Sequence, residues 1–271
     1  MYKCDDEVVR ERLHRFNIPT RSRYETSTVY KKTDFSGNAE EKAYLIGFRL
    51  GDLHVQKIRK NSKTICVRSS TTKEVQVILI KNMFLEYGGV WISKPDKKGA
   101  RRVCCHLNMS FKFLLKKEDN IPRWIRDNTS CFFAFFAGYL DAEGHIEIDK
   151  KGCAKLNVAS YDKNILHHLY GGLIGRGIYC LKPKMVRKKG YEKNGRWKHN
   201  QDTWQLGVYR KTSLSKTFKA IYPHLKHEKR VNDMLVAIKN IIERNKKYVR
   251  TLKSEDSNEK SIYNNPCLLP K

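Results

Sequence analysis

Asp52 and Glu143 are the residues on which this sequence could hang chemistry. Each closes the same pattern, small residues at every fourth position followed at once by an acid. Ala43, Gly47 and Gly51 lead to Asp52, and Ala134, Gly138 and Ala142 lead to Glu143; every matched pair stands 91 residues apart. Small residues at i, i+4 and i+8 fall in a row on one helical face, so a second helix could approach until the backbones nearly touch. If the two segments pair with each other, Asp52 and Glu143 meet at their C-terminal tips. Two carboxylates so placed are a candidate phosphodiester-cleaving centre.

Either segment alone would read as ordinary helix packing. A membrane span is excluded by length, because the apolar run Cys131 to Leu140 holds ten residues and a span needs about 20. Repetition decides the matter. Leu53-His54-Val55 matches Gly144-His145-Ile146 at the same offset, and Ile65-Cys66-Val67-Arg68-Ser69 matches Leu156-Asn157-Val158-Ala159-Ser160. The register breaks only around Phe84 to Gly89. This is an internal duplication with a period too long for a solenoid.

Composition agrees with a polyanionic partner. The 271 residues carry 55 Lys+Arg against 28 Asp+Glu, a formal charge of +27. Such an excess points to nucleic acid. At 40% hydrophobic residues the chain can bury a substantial core. None of its eight cysteines forms a C-x-x-C pair, so no zinc site is expected. Several sit in apolar or strand-like runs, as reduced core thiols do. With no apolar N-terminal stretch of signal-peptide type, the expected setting is intracellular: the cytoplasm or nucleoid of a prokaryote, or an organelle.

The elements that must position the acids follow from periodicity. Residues 1–38 form a polar N-terminal extension, with one helix over Asp5 to Arg15. A first half, 39–116, opens with a motif helix to Asp52. Strands 53–60 and 63–69, a helix within 73–86, strands 90–94 and 101–108, and the closing segment 111–115 follow. Residues 117–129, with Pro122, link it to a second half, 130–250. That half repeats the order as helix 130–143, strands 144–151 and 153–160, helix 162–174, a hairpin of 177–188 and 201–210, and helices 212–222 and 231–246. Residues 251–271 form a polar C-terminal tail. Gly171 to Gly177 lacks the Gly-Lys-Ser/Thr ending of a nucleotide loop and reads as a helix end and turn. The expected class is α+β, two αββαββα units each carrying a four-stranded antiparallel sheet.

The strand pattern gives each sheet a polar face. In His145 to Asp149, Ile146 and Ile148 alternate with His145, Glu147 and Asp149; Leu156 and Val158 alternate with Lys155 and Asn157. A two-stranded ribbon fits the major groove, where such side chains read base edges. The candidate DNA contacts are His54, Gln56, Arg59, Arg68 and Arg101 in the first half. In the second they are His145, Glu147, Asp149, Lys155, Asn157, Lys182, Lys184, Arg187, Lys198 and Gln205. In the first half Lys57 and Ile58 break the alternation, which suggests a bulge.

Over roughly residues 40–250 the chain resembles the single-chain, two-motif LAGLIDADG homing endonucleases. Phe136 to Gly144 follows the family pattern with Glu143 as the acid. Leu45 to Leu53 departs from it: Leu53 stands for the final glycine and Leu50 for the mid-motif acid, which Asp141 keeps in the second copy. The resemblance implies pseudo-twofold halves joined through two packed motif helices. It also implies a monomer that cleaves both strands of a long, specific double-stranded DNA site and leaves short 3′ overhangs. Mg²⁺ or Mn²⁺ would be held by Asp52 and Glu143 with the backbone carbonyls of Gly51 and Ala142. Mg²⁺ takes hard oxygen ligands, and paired ions supply an activated water and a stabilised leaving oxygen. A basic residue near each centre is also implied, for which the candidates are Lys117 (or its neighbour Lys116) and Lys229. Two alternatives share the scaffold, an RNA-binding maturase for a group I intron and a non-catalytic DNA-binding regulator.

Overall fold

The computed structural model describes residues 5–19, 31–191 and 198–255, with side chains to residue 246. The chain divides into two compact units. One comprises Met1–Ser36 and His54–Leu115, the other Gly37–Leu53 and Lys116–Lys271.

In the first unit, α1 (Asp6–Arg15) is opened by the Asp5 side chain and buries no residue. The sheet has the order β1-β2-β4-β3, all antiparallel, from β1 (His54–Lys57), β2 (Ile65–Thr71), β3 (Gly89–Ile92) and β4 (Arg101–Leu107). Val55, Ile65, Val67, Val103, Cys105 and Leu107 turn inward and are buried, as a half-covered antiparallel sheet requires. Against them lie α3 (Glu74–Phe84) and the Phe111 ring, which meets Phe35, Phe84 and Tyr87 edge-on. The closing segment expected over 111–115 is a 3-10 helix, Met109–Leu114, capped by Asn108. No bulge interrupts β1. Its pairing runs unbroken from His54↔Arg68 to Lys57↔Ile65. The alternation fails there because the strand ends at Lys57, leaving Ile58 exposed.

In the second unit the sheet order is β5-β6-β8-β7, the same topology again, from β5 (Gly144–Ile148), β6 (Ala154–Ser160), β7 (Leu181–Arg187) and β8 (Thr203–Val208). Here the bulges fall in β7, where the register against β8 shifts twice. Helices α6 (Lys163–Gly175), α7 (Lys211–Ile221) and α8 (Glu228–Glu255) supply Ile165, Leu169, Leu173, Leu214, Phe218 and Met234 to the core. Gly177, at φ +70°, makes the turn after α6, so the glycine run is a helix end. His168 accepts the Ile121 N–H in this core-side arrangement.

Helices α2 (Ala39–Gly51) and α5 (Thr129–Glu143) belong to this second unit. Asn38 and Glu41 form a capping box at the start of α2, and Asn128 caps α5. From Cys131 to Asp141 every residue of α5 is buried, so it is the central helix of the unit. The linker before it folds one short helix, α4 (Arg123–Asp127), with Pro122 in the cap position. Helix α8 starts three residues before the expected 231 and continues to Glu255, past the end expected at 246. The basic loop around 190–199 lies largely outside the described residues, as does the tail beyond 255. Among the described residues no helix is long and apolar enough to cross a membrane.

Candidate active site and nucleic-acid interface

The two motif helices cross backbone to backbone. A Cβ on Gly47 would collide with the Phe135 carbonyl oxygen and lie 3.0 Å from the Tyr139 nitrogen. A Cβ on Gly138 would collide in the same way with the Tyr44 carbonyl oxygen, 3.0 Å from the Phe48 nitrogen. The contact is reciprocal, each glycine receiving the carbonyl that stands in the other repeat's matching position. Four residues on, a Cβ at Gly51 would sit 2.7 Å from Ala142 Cβ and 2.9 Å from Glu143 Oε1. The stripe of small residues therefore brings the tip of α2 directly against Glu143.

Both helices end at this point. Asp52 is the C-cap of α2, its N–H bonded to the Phe48 carbonyl (3.2 Å). Arg49 Nη1 donates to the Leu53 carbonyl (2.7 Å) and ties down the chain beyond the acid. In α5 the cap is Gly144, where a Cβ would strike the Leu140 side chain. Two carboxylates at helix C-termini face the negative ends of two macrodipoles. Glu143 is half-buried, and its proton affinity rises to about pKa 7. Burial is the first cause; the Asp52 and Asp162 charges add to it, and Lys117 opposes them. The donor set fits a hard divalent cation, because one would relieve this accumulation of negative charge. The last turn of each helix also offers carbonyls without intrahelical partners, among them those of Gly51 and Ala142.

Asp162 is a member of this group that the sequence reading did not single out. Its Oδ1 lies 3.4 Å from Lys117 Nζ, and its Oδ2 accepts from Tyr139 Oη and Ser160 Oγ at 3.3 Å each. The local sequence marks it only as a residue before a helix. Lys117 thus stands beside Glu143, whereas Lys229 is bound to Asp233 one turn along α8 (2.7 Å), and Lys116 pairs with Glu118. Asp141, the mid-motif acid, is buried inside the helix pair. Its Oδ2 accepts from Tyr44 Oη (2.7 Å), Lys226 N–H (2.9 Å) and His227 N–H (3.1 Å). Burial raises it to about pKa 6 even against those three bonds. It anchors the segment leading into α8.

Of the expected DNA contacts, Arg59, Asp149 and Lys198 fall outside the strands and the others lie on them. In the second unit, pairing sets His145 beside Asn157, Glu147 beside Lys155, and Lys184 beside Gln205. These side chains bind one another. Asn157 Oδ1 accepts from Gln205 Nε2 and Tyr209 Oη, both at 2.6 Å. Lys155 bridges to Asp149 (2.7 Å), which that bond and two backbone N–H groups hold down at about pKa 2. His145 meets Glu147 at 3.1 Å. Lys182, Lys184, Arg187 and Lys198 are exposed. In the first unit His54 and Gln56 are exposed and bond each other (3.2 Å), Arg59 lies exposed beyond β1, and Arg101 pairs with Glu74 (3.2 Å). Arg68 donates from Nε to the Cys66 thiol (3.2 Å).

Neither a protein-family model nor a curated protein matches the chain. Solved structures do match. Mesophilic variants of the homing endonuclease I-DmoI are 19% identical over 68% of this chain and 96% of theirs, at a TM-score of 0.46. The homing endonuclease I-WcaI bound to its DNA recognition sequence is 14% identical over 72% of this chain and 86% of its own, at 0.47. Full-length DUF199/WhiA from Thermatoga maritima is 13% identical over 82% of this chain and 68% of its own, also at 0.47. The likeness is one of fold.

Proposed function

We propose that this chain is a site-specific, metal-dependent endonuclease that hydrolyses both strands of a long double-stranded DNA site and leaves short 3′ overhangs. The observation that supports it most directly is the meeting of Asp52 and Glu143 at the tips of two helices whose backbones touch. Stability does not ask for that arrangement. Two acids at the negative ends of two helices repel each other, and the half-buried Glu143 holds its proton to about pKa 7. A cation held between them would offset that repulsion, which supports the reading. Asp52, Glu143 and the carbonyls of Gly51 and Ala142 would hold Mg²⁺ or Mn²⁺, which when bound supplies an activated water and charge stabilisation at the leaving oxygen.

The chain's own groups do the rest. Lys117, held by Asp162, carries a positive charge toward Glu143 and would neutralise charge that builds on the phosphate. Lys229 is the corresponding candidate of the second half. Arg49, by fixing the Leu53 carbonyl, keeps the residue next to Asp52 in place. The polar faces of the sheets read base edges, while exposed lysines and arginines take phosphates. The net charge of +27 supplies the sequence-independent share of affinity.

The test is cleavage of DNA that spans the uninterrupted insertion site of the protein's own gene, with Mg²⁺ and with wild type beside Asp52→Asn and Glu143→Gln. Short cohesive ends from wild type, with nicking or no product from the variants, are expected. Tight DNA binding without cleavage would overturn the enzyme reading. The intron transcript would then be the partner to examine.

A further inference from the structure

On the polar face of the first unit's sheet, β2 and β4 bring together three side chains that no linear motif connects. Cys66 Sγ lies 3.3 Å from Cys104 Sγ, and Cys104 Sγ lies 3.6 Å from His106 Nε2. The ligand atoms of all three fall within 4.8 Å of one another. Among the described residues this is the one group of three or more such side chains to converge in this way. The register explains it. Cys66 pairs directly with His106, and Arg68 pairs with Cys104, so the two thiols are diagonal neighbours on a face whose opposite side is core.

We infer that Cys66, Cys104 and His106 form a binding site for a zinc ion that clips β2 to β4, with the fourth position open to solvent. Two thiolates and an imidazole are the soft and borderline donors that select zinc over the magnesium expected at carboxylates. Bonds of about 2.3 Å to sulfur and about 2.0 Å to nitrogen in a tetrahedral site imply S···S edges near ~3.8 Å and S···N edges near ~3.6 Å. The two separations given above lie within half an ångström of those edges, so the ligands need only small rotations to close on an ion. Arg68 Nε, donating to Cys66 Sγ at 3.2 Å, is the outer partner that orients a ligand and offsets its charge. Cys104 and Arg68 also line an open groove of about 520 Å³ with His54, Trp91 and Arg102, which gives an ion a route in. The site uses none of the residues of the acid pair. An ion there would fix the face from which His54, Gln56 and Arg68 project.

The full-length protein, kept reduced with a phosphine and stripped with a chelator, is titrated with Co²⁺. One equivalent should bind with a thiolate-to-cobalt charge-transfer band in the near-ultraviolet, and Zn²⁺ should displace it. The band should persist in the Asp52→Asn, Glu143→Gln double variant and disappear in the Cys66→Ser, Cys104→Ser double variant. Absence of the band at one equivalent, with both thiols reactive as free groups, overturns the site. A band of full strength in the cysteine variant also overturns it. If that variant fails to fold, His106→Asn serves instead. A loss of about 100-fold in Co²⁺ affinity is then expected, and unchanged affinity overturns the site.

Discussion

Lys117 Nζ stands 3.4 Å from Asp162 Oδ1, and the two act on Glu143 with opposite signs: Asp162 raises its proton affinity and Lys117 lowers it. A basic group in this position serves the acid before it serves the substrate. Lys117→Met should drive Glu143 further up and shift the acidic limb of the cleavage pH profile to higher pH. On the proposed role of Lys117, loss of its charge should also cut single-turnover cleavage by about 100-fold or more. Asp162→Asn should move the same limb downward. Lys229→Met, which removes a partner of Asp233 on its own helix, should leave that limb in place. Single-turnover rates measured across pH check all three.

The same carboxylate makes the metal-free protein sensitive to pH. Glu143 titrates near 7 in the fold and near 4.5 when unfolded. Between those values the folded state binds more protons than the unfolded state. Its contribution is therefore fully present below the unfolded value and is lost as pH rises through the folded one. Unfolding in urea with a chelator should show stability falling from pH 4.5 to 8. Glu143→Gln should flatten that fall and gain about 2 kcal/mol at pH 8, the full shift being discounted for the partial exposure of the group. Divalent cation added to wild type should restore most of the loss, because it favours the ionised form.

The crossing of α2 and α5 sets a second stability prediction. Gly47 and Gly138 each lie where any Cβ meets a backbone carbonyl of the other helix, and a backbone atom cannot rotate aside. Gly138→Ala should cost about 1–3 kcal/mol by forcing the helices apart. It should reduce cleavage more than it reduces DNA binding, since the acids separate while the sheet faces remain. Gly171→Ala, inside α6 with open space around it, is the control and should stabilise by about 0.5–1 kcal/mol. Thermal unfolding and binding assays on the same preparations separate the two effects.

The parts of this protein that were legible in the sequence are those in which one helix or one strand carries the signal. The stripes Ala43, Gly47, Gly51 and Ala134, Gly138, Ala142 showed that two backbones would touch, because a helix repeats its face every four residues. The alternation from His145 to Asp149 showed which side of a strand is wet. The 3-10 form of Met109–Leu114 and the full length of α8, beyond the expected 231–246, carry no such signal, because both depend on what those segments pack against. Asp162 could not be linked to Lys117 at all, since 45 residues and two strands separate them. The same holds for Cys66, Cys104 and His106. No C-x-x-C spacing links them; only the pairing of β2 with β4 brings the three together.

Specificity should reside in the bonded network of the second sheet more than in its exposed charges. Asn157 accepts on its side-chain oxygen from both Gln205 and Tyr209. Tyr209 can lie there because Gly207 has no side chain; a Cβ at that position would strike the phenol ring. The amide oxygen of Asn157 is thereby held, and on the proposed function its donor group would read a base edge. Tyr209→Phe should loosen that amide and lower discrimination at a single base pair by about 1–3 kcal/mol, with little change in affinity for random DNA. Lys184→Ala, on the exposed strand β7, should weaken every sequence alike and reduce the salt dependence of binding by about one counterion. Competition binding against a panel of single-base target variants at two salt concentrations separates them. A Tyr209→Phe protein that loses affinity uniformly would place the network in the scaffold instead of the readout.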